Sequence, residues 1–299
     1  PPLDLNSPLF NMHELEYFDQ INPLKAGLVW SDVLTTVSSR YAQEIQTPQY
    51  GEGLDAVLQT RHADLHGILN GLDYQTWNPR TDAIIAQNFD AKDVGGKEIC
   101  KRDLMQHLNL PGDVSTPIVG MVSRLSSQKG FDLVAQGLEA MLALGCNFVL
   151  LGSGDEHYMR LFERLGKRFP RQASMNLGAF NNELAHRIYA GSDLFLMPSL
   201  YEPCGLGQMI ALSYGTIPVV RATGGLADTV HEFNAQSGHG NGFLFDNFDA
   251  RDLLRALERA VTCFKTPQWP LLVQNALQCE YSWQISAGDY EDLYRKISV

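Results

Sequence analysis

From about residue 116 onward, short β-branched apolar runs alternate with longer stretches of helical period, and this alternation limits the fold more than any other feature of the chain. Pro117-Ile118-Val119-Gly120-Met121-Val122 reads as a strand, Phe131 to Leu144 as a helix, Phe148-Val149-Leu150-Leu151 as a strand and His157 to Leu165 as a helix. The pattern continues through a helix near Glu183 to Tyr189, the strand Leu194-Phe195-Leu196-Met197, a helix near Leu206 to Ser213 and the strand Thr216-Ile217-Pro218-Val219-Val220. Strands that are apolar at successive positions need cover on both faces, and intervening helices supply it. The expectation is an α/β fold built on a parallel sheet.

The first third is less regular. Asp32 to Ser38 is a β-branched run ending in a hydroxyl cap, and the helix-compatible Arg40 to Ile45 follows it. His66-Gly67-Ile68-Leu69 reads as a second short strand, closed by the turn formers Asn70-Gly71 and Asn78-Pro79, and residues 80–98 read as loop or linker. At the other end, Trp283, Ala287, Tyr290, Leu293, Tyr294 and Ile297 share one helix face, which needs a partner surface.

Bulk properties exclude several classes. With 23 Lys and Arg against 34 Asp and Glu the net charge is −11, which disfavours non-specific binding to nucleic acid or to an anionic membrane. An acidic chain that binds phosphate must do so through local cations or helix N-termini. The five cysteines contain no C-x-x-C pair, so neither a disulfide framework nor a structural zinc site is expected. No apolar run reaches membrane-spanning length, and Pro1-Pro2-Leu3-Asp4 is unlike a signal sequence. The 299 residues suffice for one or two domains.

Three strand-to-helix junctions carry candidate chemistry. In Gly120 to Gly130, Arg124 offers a planar fork for phosphate oxygens, while Lys129 stands at a helix start, where the dipole disfavours a structural cation; this favours a ligand role over an ordinary surface charge. Leu151-Gly152-Ser153-Gly154-Asp155 opens another helix, and by itself suits a plain tight turn as well as an anion-binding loop. Glu202-Pro203-Cys204-Gly205-Leu206-Gly207 sets a carboxylate beside small residues. Glu202 can accept sugar hydroxyls or support an oxocarbenium-like transition state, or can simply complement a helix N-terminus.

Cys204 at such a terminus is conceivable as a thiolate nucleophile, but no partner base is identifiable by spacing, so a structural role is preferred. Thr223-Gly224-Gly225-Leu226-Ala227-Asp228-Thr229 supplies another flexible turn of phosphate or sugar size. The C-terminal ends of parallel strands face one way, so these loops are expected to surround one cleft. His62 and His66 have a metal-compatible spacing without a third ligand, and no Asp-x-Asp pair occurs; no metal site is expected.

S-R-L-S-S-Q-K-G, L-G-S-G, A-H-R-I-Y-A-G-S-D, M-P-S-L-Y-E-P-C-G-L and T-G-G-L-A-D-T-V occur in that order, with T-T-V-S-S-R-Y-A and I-L-N-G-L-D before them and Y-S-W-Q after. This set resembles the bacterial glycogen synthases and plant starch synthases that use ADP-glucose. The resemblance implies the GT-B arrangement, two Rossmann-like domains facing across a cleft. Residues 1–80 would be the remnant of the N-terminal, acceptor-side domain, and 81–115 a linker or hinge leading into the C-terminal domain. Residues 116–275 would form the nucleotide-sugar-binding domain, and 276–299 a helix packing back on the first. The family's opening Lys-x-Gly-Gly-Leu motif is not among these residues, so most of that first domain is expected to be missing.

By motif position, Arg124 and Lys129 resemble the diphosphate-binding pair and Glu202 the acid near the donor glucose. Cys204, Gly205 and Leu206 resemble the donor-contacting turn, and Asn70 an active-site asparagine from near the hinge. Gly152, Ser153 and Gly154, with Thr223, Gly224 and Gly225, would line the donor site. Phe180 would replace, by stacking, the tyrosine that family members often carry for adenine. The implied activity is transfer of glucose from ADP-glucose to the non-reducing end of an α-1,4-glucan with retention, without cofactor or metal. Front-face attack guided by the leaving phosphate is preferred to a covalent route. The implied setting is bacterial cytoplasm or plastid stroma, with neither nucleic acid nor membrane as partner. The alternatives are a truncated chain that only binds nucleotide sugar or glucan, and a related GT-B enzyme with another donor, such as a sucrose synthase-like protein.

Overall fold

The computed structural model describes residues 8–297; Pro1 to Asp4 lie outside them. The first part runs β1 (Glu16–Tyr17), β2 (Gln20–Ile21), α1 (Pro23–Trp30), β3 (Leu34–Thr36), α2 (Ser39–Glu44), α3 (Asp55–Thr60) and β4 (Leu65–Gly67). β1 and β2 form a small antiparallel pair, and β3 and β4 pair in parallel with Leu34 opposite Leu65. Ser38 does cap a helix: its hydroxyl accepts the Tyr41 N–H at 2.9 Å.

The remainder contains α4 (Gly95–His107), β5 (Ile118–Val122), α5 (Phe131–Ala143), β6 (Asn147–Gly152), α6 (Glu156–Arg168), β7 (Ala173–Leu177), α7 (Asn182–Gly191), β8 (Leu194–Met197), α8 (Gly207–Ser213), β9 (Ile217–Arg221), α9 (Gly224–Thr229), β10 (Phe243–Phe245), α10 (Ala250–Phe264), α11 (Trp269–Leu277) and α12 (Trp283–Ile297). β5 to β10 form a six-stranded, wholly parallel sheet in the order β10-β9-β8-β5-β6-β7. This is the doubly wound order in which successive crossovers turn back between β5 and β8, opening a crevice at their C-terminal ends.

The sheet is covered on both faces, and β6 shows why its strands carry no polar alternation. Phe148 and Leu150 pack with Leu138, Phe162 and Leu257 on one face, while Val149 and Leu151 pack with Leu104, Leu184 and Ile188 on the other. Burial of successive apolar residues on opposite faces contributes about 25 cal/mol for each Å² removed from water.

The stretch 80–98, read from sequence as loop or linker, holds the start of α4, whose Leu104 is fully buried beneath β5 and α7. The chain before it is also anchored. Asp82 accepts hydrogen bonds from Tyr214 Oη at 2.5 Å and pairs with His186 Nδ1 at 2.7 Å, and Trp77 stacks on that imidazole. Near the other end, Leu72 N–H donates to the Tyr281 carbonyl at 2.6 Å. Gly71 has no room for a side chain there, because a Cβ would strike the backbone of Trp283. The shared face expected of the terminal helix is little covered: Leu293 is buried, whereas Trp283, Tyr294 and Ile297 are exposed.

Candidate functional site

The crevice between β5 and β8 is built by two loops that interlock through their backbones. After β5 the chain makes a single 3₁₀ turn, Ser127–Lys129, and then bends at Gly130, whose φ of 73° is left-handed. A Cβ at Gly130 would collide with the Pro198 carbonyl, so glycine lets this turn rest on the end of β8. Leu200 N–H then donates to Gln128 O at 2.8 Å, and Gln128 Nε2 donates to Tyr201 O at 3.1 Å.

That docking fixes the position of Glu202. Lys129 Nζ donates to Glu202 Oε2 at 2.6 Å, and Ser199 Oγ donates to the same oxygen at 2.9 Å. Glu202 is only 6% exposed, so these partners replace the water its carboxyl group has lost. Both bonds fall on Oε2, and Oε1 has no protein partner among the described residues. Arg124 is exposed on the same loop and makes no ion pair among the described residues.

The other expected loops adjoin the loops that carry this pair. Gly152, Ser153 and Gly154 lie against the loop after β5: Leu125 N–H donates to Ser153 O at 2.7 Å, and Asp155 N–H donates to Leu125 O at 2.8 Å. A Cβ on Gly152 or Gly154 would strike the carbonyl of Ser123 or Leu125 respectively, so loop-to-loop packing itself requires these glycines. Phe180 is 61% exposed in the loop after β7, a loop tied back to β6 where Gly178 N–H donates to Gly152 O at 3.2 Å.

Cys204 is buried, and its desolvation holds the thiol above the ordinary thiol range although the Asn70 backbone hydrogen-bonds to it. A thiol so held is a poor nucleophile. The same contact brings Asn70 to the motif. Gly205 adopts φ 74°, and Leu206 is exposed just before α8. Gln208 steadies the turn by donating to Cys204 O at 3.1 Å and Gly205 O at 2.9 Å.

Thr223-Gly224-Gly225, expected as a flexible turn, is the start of α9, and the anion there is supplied by the chain itself. The buried Glu44 carboxylate accepts from Thr223 Oγ1 at 3.0 Å and from Gly224 N–H at 3.1 Å. Asp228 in α9 accepts in return from Ser38 Oγ at 2.7 Å and Arg40 N–H at 3.1 Å, at the start of α2. Two short helices thus cap one another with opposed carboxylates. Gly225 N–H donates to Glu202 O at 3.0 Å, so this junction also supports the acid loop.

Sequence reasoning missed Ser199, Glu44, Asp228 and Arg221. Arg221, 8% exposed at the end of β9, donates through Nε to Ser199 O at 2.8 Å and through Nη1 to Asp246 O at 3.0 Å. The one available signal was a cation closing the apolar run Ile217 to Val220. His62 is engaged through Nδ1 with Gln59 O at 2.9 Å, and no cluster of three or more metal-ligating side chains occurs among the described residues.

Known proteins resemble this chain over nearly its whole length. The family described as "Glycosyl transferases group 1" matches residues 106–268, and the "Starch synthase catalytic domain" family matches residues 2–60. The glycogen synthase of Desulforamulus reducens is 49% identical over 296 residues, covering 99% of this chain and 62% of that protein. The glycogen synthase of Thermosipho africanus is 49% identical over 290 residues, covering 96% of this chain and 60% of its own length. Among solved structures, the catalytic domain of starch synthase IV from Arabidopsis thaliana, bound to ADP and acarbose, superposes with a TM-score of 0.91 at 40% identity. That match covers 98% of this chain and 62% of the other. A sucrose-phosphate synthase from Thermosynechococcus elongatus shares the fold, with a TM-score of 0.63 at 20% identity over 93% of this chain and 62% of that one. The chain therefore spans about three fifths of the length of these relatives. With more than half of its residues matched by one family and a doubly wound sheet that carries the paired Lys129 and Glu202 at its crevice, the chain belongs to the glycosyl transferases group 1 family.

Proposed function

We propose that this chain carries the donor-side machinery of a retaining glucan synthase, which transfers glucose from ADP-glucose to the non-reducing end of an α-1,4-glucan. The observation that carries the reading is the Lys129–Glu202–Ser199 cluster at the turning point of the sheet. The nearby starch synthase that binds ADP and acarbose supports the choice of nucleotide and of glucan chemistry.

In this reading Arg124 and Lys129 take the diphosphate oxygens and stabilise the charge that develops as ADP departs. Lys129 lies on Glu202 Oε2, so a diphosphate beside it shares a cation already held in place. Glu202 keeps Oε1 for a donor hydroxyl and supports positive charge at the anomeric carbon. Cys204, a buried thiol held above the ordinary thiol range, is not a ready nucleophile. That favours front-face attack steered by the leaving phosphate over a covalent route. Phe180, exposed beyond β7, is assigned to the adenine by stacking, and Asn70, beside Cys204, to the donor glucose.

The direct measurement is incorporation of glucose into glycogen from ADP-glucose, from UDP-glucose and without donor. ADP-glucose is expected to be used best; incorporation from neither nucleotide sugar, with ADP still bound, favours the binding-only alternative. Lys129→Ala is expected to weaken ADP binding about tenfold or more, since a charge-assisted hydrogen bond contributes about 1.5–3 kcal/mol. An unchanged ADP isotherm would remove the diphosphate assignment.

A further inference from the structure

Beside the acid loop lies a cavity of about 260 Å³, lined by Tyr41, Gln49, Tyr50, Glu52, Leu200 and Tyr201. Two of these residues immediately precede Glu202, while Tyr41 lies in α2 and Gln49, Tyr50 and Glu52 follow that helix, so the cavity spans the junction between the two parts of the chain. Its lining suits a pyranose ring: aromatic faces pack against the C–H faces of a sugar, while an amide and a carboxylate take its hydroxyls.

Two further observations show a built site. Arg221 ties the cavity wall to the catalytic loop, since its Nη2 donates to Tyr50 Oη at 3.2 Å and also to Leu200 O, while Nε holds Ser199 O. One buried guanidinium thus anchors both a tyrosine of the cavity and the loop that bears Glu202. Glu52 itself has a left-handed backbone, φ 50°, which costs a non-glycine residue on the order of 1 kcal/mol and persists only where the surroundings impose it. Its carbonyl accepts the Tyr17 hydroxyl, which holds the bend.

We infer that this cavity is a subsite for one glucosyl unit of the acceptor chain, an assignment that rests on the glucan-synthase reading above. A phosphate group fits it poorly. Among the described residues the cation tied to its wall is Arg221, which is occupied by carbonyls and a tyrosine, and Glu52 at the rim repels anions.

The test is calorimetric titration with maltotriose and, separately, with ADP, on the protein and on Tyr50→Ala, Tyr50→Phe and Glu52→Gln. Maltotriose affinity is expected to fall about tenfold in Tyr50→Ala and severalfold in Glu52→Gln, the range typical of losing a binding-site anchor. Tyr50→Phe keeps the ring and should bind maltotriose nearly normally, and ADP affinity should be unchanged in all three. Maltotriose binding that is unaltered in Glu52→Gln and Tyr50→Ala, or absent from the unsubstituted protein while ADP binds, overturns the subsite. Failure of the unsubstituted protein to bind ADP overturns the donor reading instead. Should Tyr50→Ala fail to fold, the exposed Glu52→Gln decides the question.

Discussion

Glu44 is the residue whose removal best tests how the two parts of the chain are joined. Its carboxylate, 9% exposed, accepts from Thr223 Oγ1 and Gly224 N–H at the start of α9 and from Arg40 Nε at 3.2 Å. The Arg40 contact is half in solvent and contributes at most about 0.5 kcal/mol as an i,i+4 pair. The two bonds to α9 are buried and charge-assisted, so the cost of losing them lies there. Glu44→Gln keeps the shape but turns an amide donor toward two donors. Each bond to charge contributes about 1.5–3 kcal/mol, and relief of carboxylate desolvation returns part of that, leaving an expected loss of about 2 kcal/mol. Glu44→Ala, which strands the Thr223 hydroxyl and the Gly224 amide, should lose about 3 kcal/mol. Asp228→Asn acts on the reciprocal cap and should cost a similar amount to Glu44→Gln. The double variant should lose less than the sum, because once one cap is broken the other no longer joins two well-placed helices. Urea denaturation of the unsubstituted protein and the four variants measures all of this. Strict additivity would show the caps to be independent. A Glu44→Gln protein as stable as the original would show that the buried carboxylate contributes nothing net, refuting the idea that these reciprocal carboxylate caps hold the junction.

Three other outcomes follow from local geometry. Burial pushes the Asp82 carboxyl up, but the hydrogen bonds from His186, Tyr214 and Ile84 N–H together outweigh it and hold the group below its ordinary 3.8. Its stabilising contribution is therefore complete above that value and is lost as pH falls through the lower folded-state value. The stability gap between the protein and Asp82→Asn should be constant above about pH 5 and narrow from about pH 4 downward; a gap unchanged at pH 3 contradicts this. Gly225→Ala forces a Cβ into the Cys204 carbonyl and should cost more than about 2 kcal/mol by urea denaturation, whereas Gly145→Ala, with open space around it, changes only a strained exposed turn and should cost less. Cys204→Ala should retain glucosyl transfer within about an order of magnitude, as expected for a packing thiol; loss of turnover with ADP still bound would make the thiol a nucleophile after all.

The parallel sheet was legible because its strands are apolar on both faces, a pattern that few other environments tolerate. The start of α4 was not, and the reason is chemical. Its sequence opens on Gly95-Gly96 and offers Lys97 and Lys101 at positions that look like solvent, yet both ammonium groups are buried. Lys97 Nζ donates to the carbonyls of Ala190, Ser192 and Tyr214 and to the Thr216 hydroxyl, and burial lowers its pKa to about 8. Lys101 pairs with Asp193 at 2.7 Å. Apart from the Val114 carbonyl, which also accepts from Lys101, the acceptors come from residues about ninety or more positions away, so no local pattern announces them. Distance along the chain hid Glu44 in the same way: the anion that serves α9 lies 180 residues before it.

The glycines show how a turn that suits a ligand is used first for packing. Gly-rich turns at strand ends were read as openings for phosphate or sugar, with a plain tight turn equally open at Gly152 to Gly154. Their missing side chains, however, are first used within the protein, where Gly154 meets Leu125, Gly224 meets the Glu202 carbonyl and Gly225 meets that of Cys204. Close loop-to-loop contact is what seats Lys129 on Glu202 before any ligand arrives. A site assembled in this way gives up little ordering entropy when it binds, because its loops are already held by one another's backbones. In this chain, then, the glycine motifs set Glu202 and Lys129 in place through backbone contact, and on the donor-site proposal a ligand would meet side chains that those contacts have already positioned.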